Sequence, residues 1–198
     1  MQTKNHLLRK LILAGPIGSG KSLVGTLLEA RGAVVLEADR AGHQVLEPDG
    51  AAFASVAARF PQVLQAGSID RRLLAGVVFA DPNALEVLEA LTHPHIAATI
   101  DHLASAARDR LVVVELPLVV DILGSGWPRL VVIADEDRRL RRAVARGMEE
   151  EDVRGRMAAQ PSDAEWLESA DWVIRNDGSM EELEAAVARW WTDEVANA

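Results

Sequence analysis

The chain has 198 residues, 49% of them apolar and 26% charged, with no cysteine and a formal net charge of −9. This suits one α/β domain with a full core and room for a small inserted lobe. It excludes a disulfide framework or a Cys-based zinc site, and the acidic balance argues against nonspecific binding to nucleic acid. No apolar run reaches the ~20 residues of a membrane span, and the opening MQTKNHLLRK leads into an apolar run without a cleavage signal. The expectation is therefore a cytoplasmic protein, a monomer or weak homo-oligomer, with neither nucleic acid nor membrane as partner.

In chain order, Leu11 to Ala14 reads as a buried parallel strand ending at glycine. A Gly-rich loop follows, then a helix from Lys21 to Arg31 with Leu23, Leu27 and Leu28 spaced for one buried face and Gly32 as its stop. Ala33–Leu36, Leu111–Glu115, Leu130–Ala134 and Asp171–Arg175 read as further strands. With helical patterns between them, the pattern predicts a mostly parallel five-stranded sheet with helices on both faces.

Two stretches break the alternation. Residues 41–108 contain no strand pattern, only helical periods at Ala51–Phe60, Asp70–Phe79, Asn83–Leu91 and Pro94–Ala107. They read as a helical lobe placed between strands two and three. Residues 137–160 are rich in arginine and glutamate and read as a solvated helical hairpin, a candidate lid. The core is then 1–40, 109–136 and 161–198.

Gly15-Pro16-Ile17-Gly18-Ser19-Gly20-Lys21-Ser22 matches G-x-x-x-x-G-K-[ST] in full, after a strand and opening a helix. The glycines let successive N–H groups converge on one phosphate cluster, and the helix adds the positive end of its dipole. Lys21 supplies a charge for the β- and γ-phosphates, and Ser22 a hydroxyl for magnesium. The expected cofactors are ATP and Mg2+. Pro16 removes one N–H from the loop.

No guanine-reading N/T-K-x-D motif is present, which sets a GTPase switch aside. A small-molecule kinase needs a carboxylate near the γ-phosphate, and Glu37 and Asp39 follow the end of the second strand, where open α/β sheets bind ligands. The alternative reading of Asp39 is a helix N-cap. Arg138, Arg139, Arg141, Arg142 and Arg146 lie on one helical pattern, with Arg142 and Arg146 sharing a face. They read either as lid arginines for the transferring phosphoryl group or as solvated charge. His93-Pro94 reads as a helix start and Asp70-Arg71 as a helix cap with a charge in the first turn. The five tryptophans read as core or edge residues.

Taken in order, these segments resemble the dephospho-CoA kinase family over nearly the whole chain. GPIGSGKS resembles its phosphate loop and Glu37-Ala38-Asp39 its Asp-Ala-Asp turn. Gly67-Ser68-Ile69-Asp70-Arg71 with Leu74 and Phe79, and then His93-Pro94, follow its next segments. Pro117-Leu118-Val119-Val120-Asp121 resembles its Pro-Leu-Leu-x-Glu. Arg142, Arg146, Arg156 and Gln160 follow its lid pattern, and Ala170-Asp171 with Asn176-Asp177-Gly178 its closing strand and turn.

The resemblance implies a P-loop kinase fold and transfer of phosphate from ATP to the ribose 3′-hydroxyl of 3′-dephospho-CoA, giving CoA and ADP. It implies Asp39 as the base, Arg71, His93 and Pro117 at the acceptor, and Asn176 at the nucleotide. The chain departs from the family pattern at Pro16, Glu37, Glu115, Asp121 and Trp166. Another P-loop nucleoside or nucleotide kinase, or a nucleotide-binding relative without catalysis, are the alternatives.

Overall fold

The computed structural model describes residues 8–107, 109–116, 122–124 and 126–196. Strands β1 (Lys10–Ala14), β2 (Val34–Glu37), β5 (Val112–Glu115), β6 (Arg129–Ile133) and β7 (Trp172–Arg175) form one sheet in the order β2-β5-β1-β6-β7. β1 pairs in parallel with β5 and β6, and β6 with β7. Parallel strands need both faces covered, and these central strands are near-continuous apolar runs. On one face Leu11, Leu13, Val113, Leu130 and Val132 pack with Val24 and Leu28 of α1 (Lys21–Glu29) and Leu183 and Val187 of α9 (Met180–Trp191). On the other, Ile12, Val114, Val131 and Ile133 are also buried.

The buried face of α1 is carried by Val24, Gly25 and Leu28, with Leu23 and Leu27 at its margins. Gly32 stops the helix at φ 103°, with its N–H donating to the Glu29 carbonyl and the Ala33 N–H to that of Leu28.

The chain divides into two compact units, one of Met1–Leu36 and Ala107–Ala198, the other of Glu37–Ala106. The second unit contains α2 (Ala38–Val45), α3 (Phe53–Arg59), α4 (Arg71–Ala80) and α5 (Pro82–Ala106). It corrects three expectations. First, it contains strand: β3 (Leu64–Gln65) pairs antiparallel with β4 (Ser68–Ile69). Two residues per strand carry no readable alternation, and the turn between them is marked only by Ala66 (φ 49°) and Gly67 (φ 83°). Second, α5 is continuous where two helices were expected, so His93-Pro94 does not start a helix and Pro94 lies inside one. Pro94 and Ala90 are both exposed, so the Ala90 carbonyl that loses its helical donor faces water. Third, α2 begins directly after β2, which puts Asp39 in its first turn; the N-cap position is Glu37, without a side-chain cap bond.

The expected helical hairpin is α6 (Glu136–Ala145) and α7 (Glu150–Ala159). It is less solvated than its composition suggests: Arg139 is only 6% exposed and sits on the buried face with Ala143. A further helix, α8 (Asp163–Glu168), follows, started by a capping box between Ser162 and Glu165.

Candidate functional site

The loop between β1 and α1 takes its shape from three glycines with positive φ: Gly15 at 139°, Gly18 at 75° and Gly20 at 100°. Each also lacks room for a side chain. A Cβ at Gly15 would strike the Val132 carbonyl, one at Gly18 the Arg139 backbone, and one at Gly20 the Asn176 amide. Loop, β6, α6 and the turn after β7 are thus fitted to one another. Gly20 caps α1 without a side-chain hydrogen bond, and no acid stands in the first turn. The first amides at that end lack the usual i−4 acceptor and face an approaching anion with no acid in the first turn.

The Lys21 ammonium donates to the carbonyls of Gly15 at 2.6 Å and Pro16 at 3.1 Å. The Pro16 carbonyl also accepts from the Ser19 N–H at 3.2 Å. Pro16 therefore lacks a donor but braces the loop through its acceptor. Ile17 N–H donates to Gln160 Oε1 at 2.8 Å.

Asn176, only 5% exposed, donates from Nδ2 to the Ser19 carbonyl at 2.8 Å. Arg142 Nη2 in turn donates to the Asn176 carbonyl at 3.0 Å and to its Oδ1 at 3.3 Å. Beside this chain lies a cleft of about 190 Å3 lined by Gly20, Leu23, Arg142, Arg146, Asn176, Gly178, Ser179, Met180 and Leu183. Of the residues expected from the sequence, Gly15–Ser22, Asn176, Arg142 and Arg146 are therefore gathered in one unit. Arg146 is exposed at the C-terminal end of α6.

Ser22 Oγ donates to Glu115 Oε1 at 3.0 Å. Glu115 ends β5, beside β1 in the sheet. A serine hydroxyl and a carboxylate in contact make a pair of hard oxygen donors, the kind Mg2+ takes from protein while phosphates and water fill the rest of its octahedron. Among the described residues no group of three or more His, Asp or Glu could hold a metal ion. Glu115 was absent from the residues expected at the site. Its signal was an acid at the C-terminal end of an apolar strand, the same rule that marked Glu37 and Asp39.

Asp39, Arg71 and His93 lie in the second unit. Asp39 stands in the first turn of α2, and His93 is half-buried in the middle of α5. Arg71 opens α4 behind Asp70, whose carboxylate accepts the N–H groups of Arg72 and Leu73 at 2.9 and 3.0 Å, so the cap reading of Asp70 holds. Pro117 and Asp121 lie outside the described residues. Trp166, a departure from the family pattern, is fully buried and serves the core. No helix among the described residues is long and apolar enough to cross a membrane.

The family model described as Dephospho-CoA kinase matches residues 10–182. The dephospho-CoA kinase of Streptomyces avermitilis is 41% identical over 195 residues, covering 96% of this chain and 95% of that one. The crystal structure of TT1252 from Thermus thermophilus superposes with a TM-score of 0.79 at 35% identity, over 93% of this chain and 98% of that one. Dephospho-CoA kinase from Campylobacter jejuni shares the fold, with a TM-score of 0.69 at 22% identity over 95% and 98% of the two chains.

Proposed function

The chain belongs to the dephospho-CoA kinase family, and from that premise we propose how its residues divide the work of an ATP-dependent transfer of phosphate to a hydroxyl group. The acceptor is the ribose 3′-hydroxyl of dephospho-CoA, and the products are CoA and ADP. Membership of the family supports the acceptor, and the braced loop before α1, with its uncapped helix start and Lys21, supports the ATP site.

Pro16 has no N–H, Ser19 spends its own on Pro16 and Ile17 on Gln160. The phosphate cradle is then made by the N–H groups of Gly18, Gly20, Lys21 and Ser22, with the Lys21 ammonium exchanging its loop carbonyls for β- and γ-phosphate oxygens. The nucleotide base lies in the cleft of about 190 Å3, where Arg142, anchored on Asn176, offers its guanidinium plane. Arg146, exposed at the end of α6, turns onto the triphosphate and balances charge on the transferring group.

Ser22 and Glu115 would hold Mg2+, which would supply positive charge to offset that of the phosphates. Asp39 accepts the proton of the acceptor hydroxyl as its oxygen attacks the γ-phosphorus in line and the bond to the ADP oxygen breaks. The helical unit of residues 37–106 holds the acceptor, with Arg71 and His93 beside it, and α6 with α7 forms the lid. The protein works in the cytoplasm.

Asp39→Asn tests the division of labour. Loss of a general base lowers turnover by about 10²- to 10⁴-fold, while ATP affinity stays as in the parent. Parent-level turnover in that variant would remove Asp39 from the reaction.

A further inference from the structure

The α7–α8 junction is tied to the phosphate loop directly through Gln160 and to the neighbouring helix α6 through Asp163. The sequence there is Gln160-Pro161-Ser162-Asp163. Proline restricts the residue before it to extended backbone, and Gln160 ends α7 at φ −87°, ψ 159°. This turns the Gln160 side chain off the helix, and its Oε1 accepts the Ile17 N–H at 2.8 Å. Three residues on, Asp163 Oδ1 accepts from Arg139 Nη2 at 2.9 Å. Arg139 is the residue whose backbone abuts Gly18 closely enough to exclude a Cβ there. The Ile17 amide is therefore held directly, and the helix that abuts Gly18 is tied, by one turn of chain 143 residues on.

We infer that Gln160 is a positioning residue for the nucleotide: by holding the Ile17 peptide it fixes the orientation of the Gly18 N–H that follows, and so the loop's fit to phosphate. The inference rests on the reading that ATP binds this loop. Lys21 and the Ser19 N–H hold the carbonyl side of this peptide at Pro16, and Gln160 holds its N–H side. Since Gln160 ends the second helix of the hairpin, any shift of α7 is passed to the loop through this bond. The effect is felt by ATP and not by the acceptor.

The test uses the full chain with Gln160→Met, which keeps the length but removes the acceptor oxygen, and Gln160→Glu, which keeps an oxygen at the same reach. Two measurements are made: steady-state kinetics with Mg-ATP and dephospho-CoA, and hydrogen exchange of the Ile17 amide without ligands. Losing one hydrogen bond in the loop raises the KM for ATP about five- to tenfold in Gln160→Met. The KM for dephospho-CoA and the melting temperature stay near parent values, and the Ile17 amide exchanges about tenfold faster or more. Gln160→Glu keeps that amide slow.

Parent-like ATP KM and Ile17 exchange in Gln160→Met would overturn the inference. So would a parallel rise in both KM values with a lowered melting temperature, which marks a role in folding only. If Gln160→Met does not fold, Gln160→Glu decides: a protected Ile17 amide supports the tie and an unprotected one overturns it. Failure of the parent protein to use dephospho-CoA would bear on the acceptor alone, since Ile17 exchange is read without any acceptor.

Discussion

Ser22 and Glu115, 93 residues apart in sequence, meet at 3.0 Å, with the serine hydroxyl donating to the carboxylate. The contact joins the first turn of α1 to the end of β5 and places two oxygen donors beside the phosphate loop. Removing the charge with Glu115→Gln, or the hydroxyl with Ser22→Ala, should raise the Mg2+ concentration needed for half-maximal turnover. The drop in turnover at low Mg2+ should be about 10- to 100-fold, by analogy with the loss of a group bound to a catalytic ion or its ligand. A Mg2+ titration at fixed ATP reads it; an unchanged midpoint in both variants removes the pair from the metal.

Asn176 links the phosphate loop to α6. It is buried, it satisfies the Ser19 carbonyl, and it receives Arg142 through both its own carbonyl and its side chain. Asn176→Ala should leave the Ser19 carbonyl unpaired and loosen Arg142. The expected cost is about 1–3 kcal/mol in urea unfolding, together with a raised KM for ATP. Parent stability and parent KM together would contradict the arrangement.

Arg139 and Asp163 form an unequal pair, with the arginine side chain 7% and the aspartate 48% exposed. Asp163→Ala should strand a buried guanidinium, whose Nε is already without a partner. Because half of Asp163 is in water, the expected loss is about 2 kcal/mol, below the range for a fully buried pair. In an Arg139→Met background the same substitution should cost close to nothing. A double-mutant cycle by urea unfolding checks this, and additive losses would show that the two side chains do not depend on one another.

The capping box of α8 carries a pH signature. Hydrogen bonds from the Ser162 hydroxyl, first, and the Ser162 N–H, second, hold the Glu165 carboxyl below its ordinary range. A carboxylate with a lowered folded-state pKa stabilises above its unfolded pKa, and that contribution is lost as pH falls through the folded value. Ser162→Ala should therefore lower the melting temperature by about 2–4 °C at pH 7, and the gap to the parent should close in acid. A constant gap down to the parent's acid transition would contradict the assignment.

The phosphate loop was legible because its chemistry is local: eight contiguous residues between a strand and a helix. The five strands of the main sheet were legible because each is a compact apolar run. The β3–β4 hairpin was not, since two-residue strands have no period to detect. The continuity of α5 was not, because proline's effect depends on whether the freed Ala90 carbonyl meets water. Among the arginines of α6 only tertiary packing separates buried Arg139 from exposed Arg138 and Arg141. Likewise Glu115 and Gln160 owe their place at the site to partners 93 and 143 residues away. Spacing along the chain carries no trace of either contact.

The central claim is transfer of phosphate from ATP to dephospho-CoA. It is tested most directly by a coupled ADP-release assay with purified protein, Mg-ATP and 3′-dephospho-CoA, alongside a no-acceptor control and a panel of nucleosides and nucleotides. The expected result is ADP release only with dephospho-CoA, with CoA confirmed by mass. ADP release with another acceptor, or none with dephospho-CoA while ATP still binds, would contradict it.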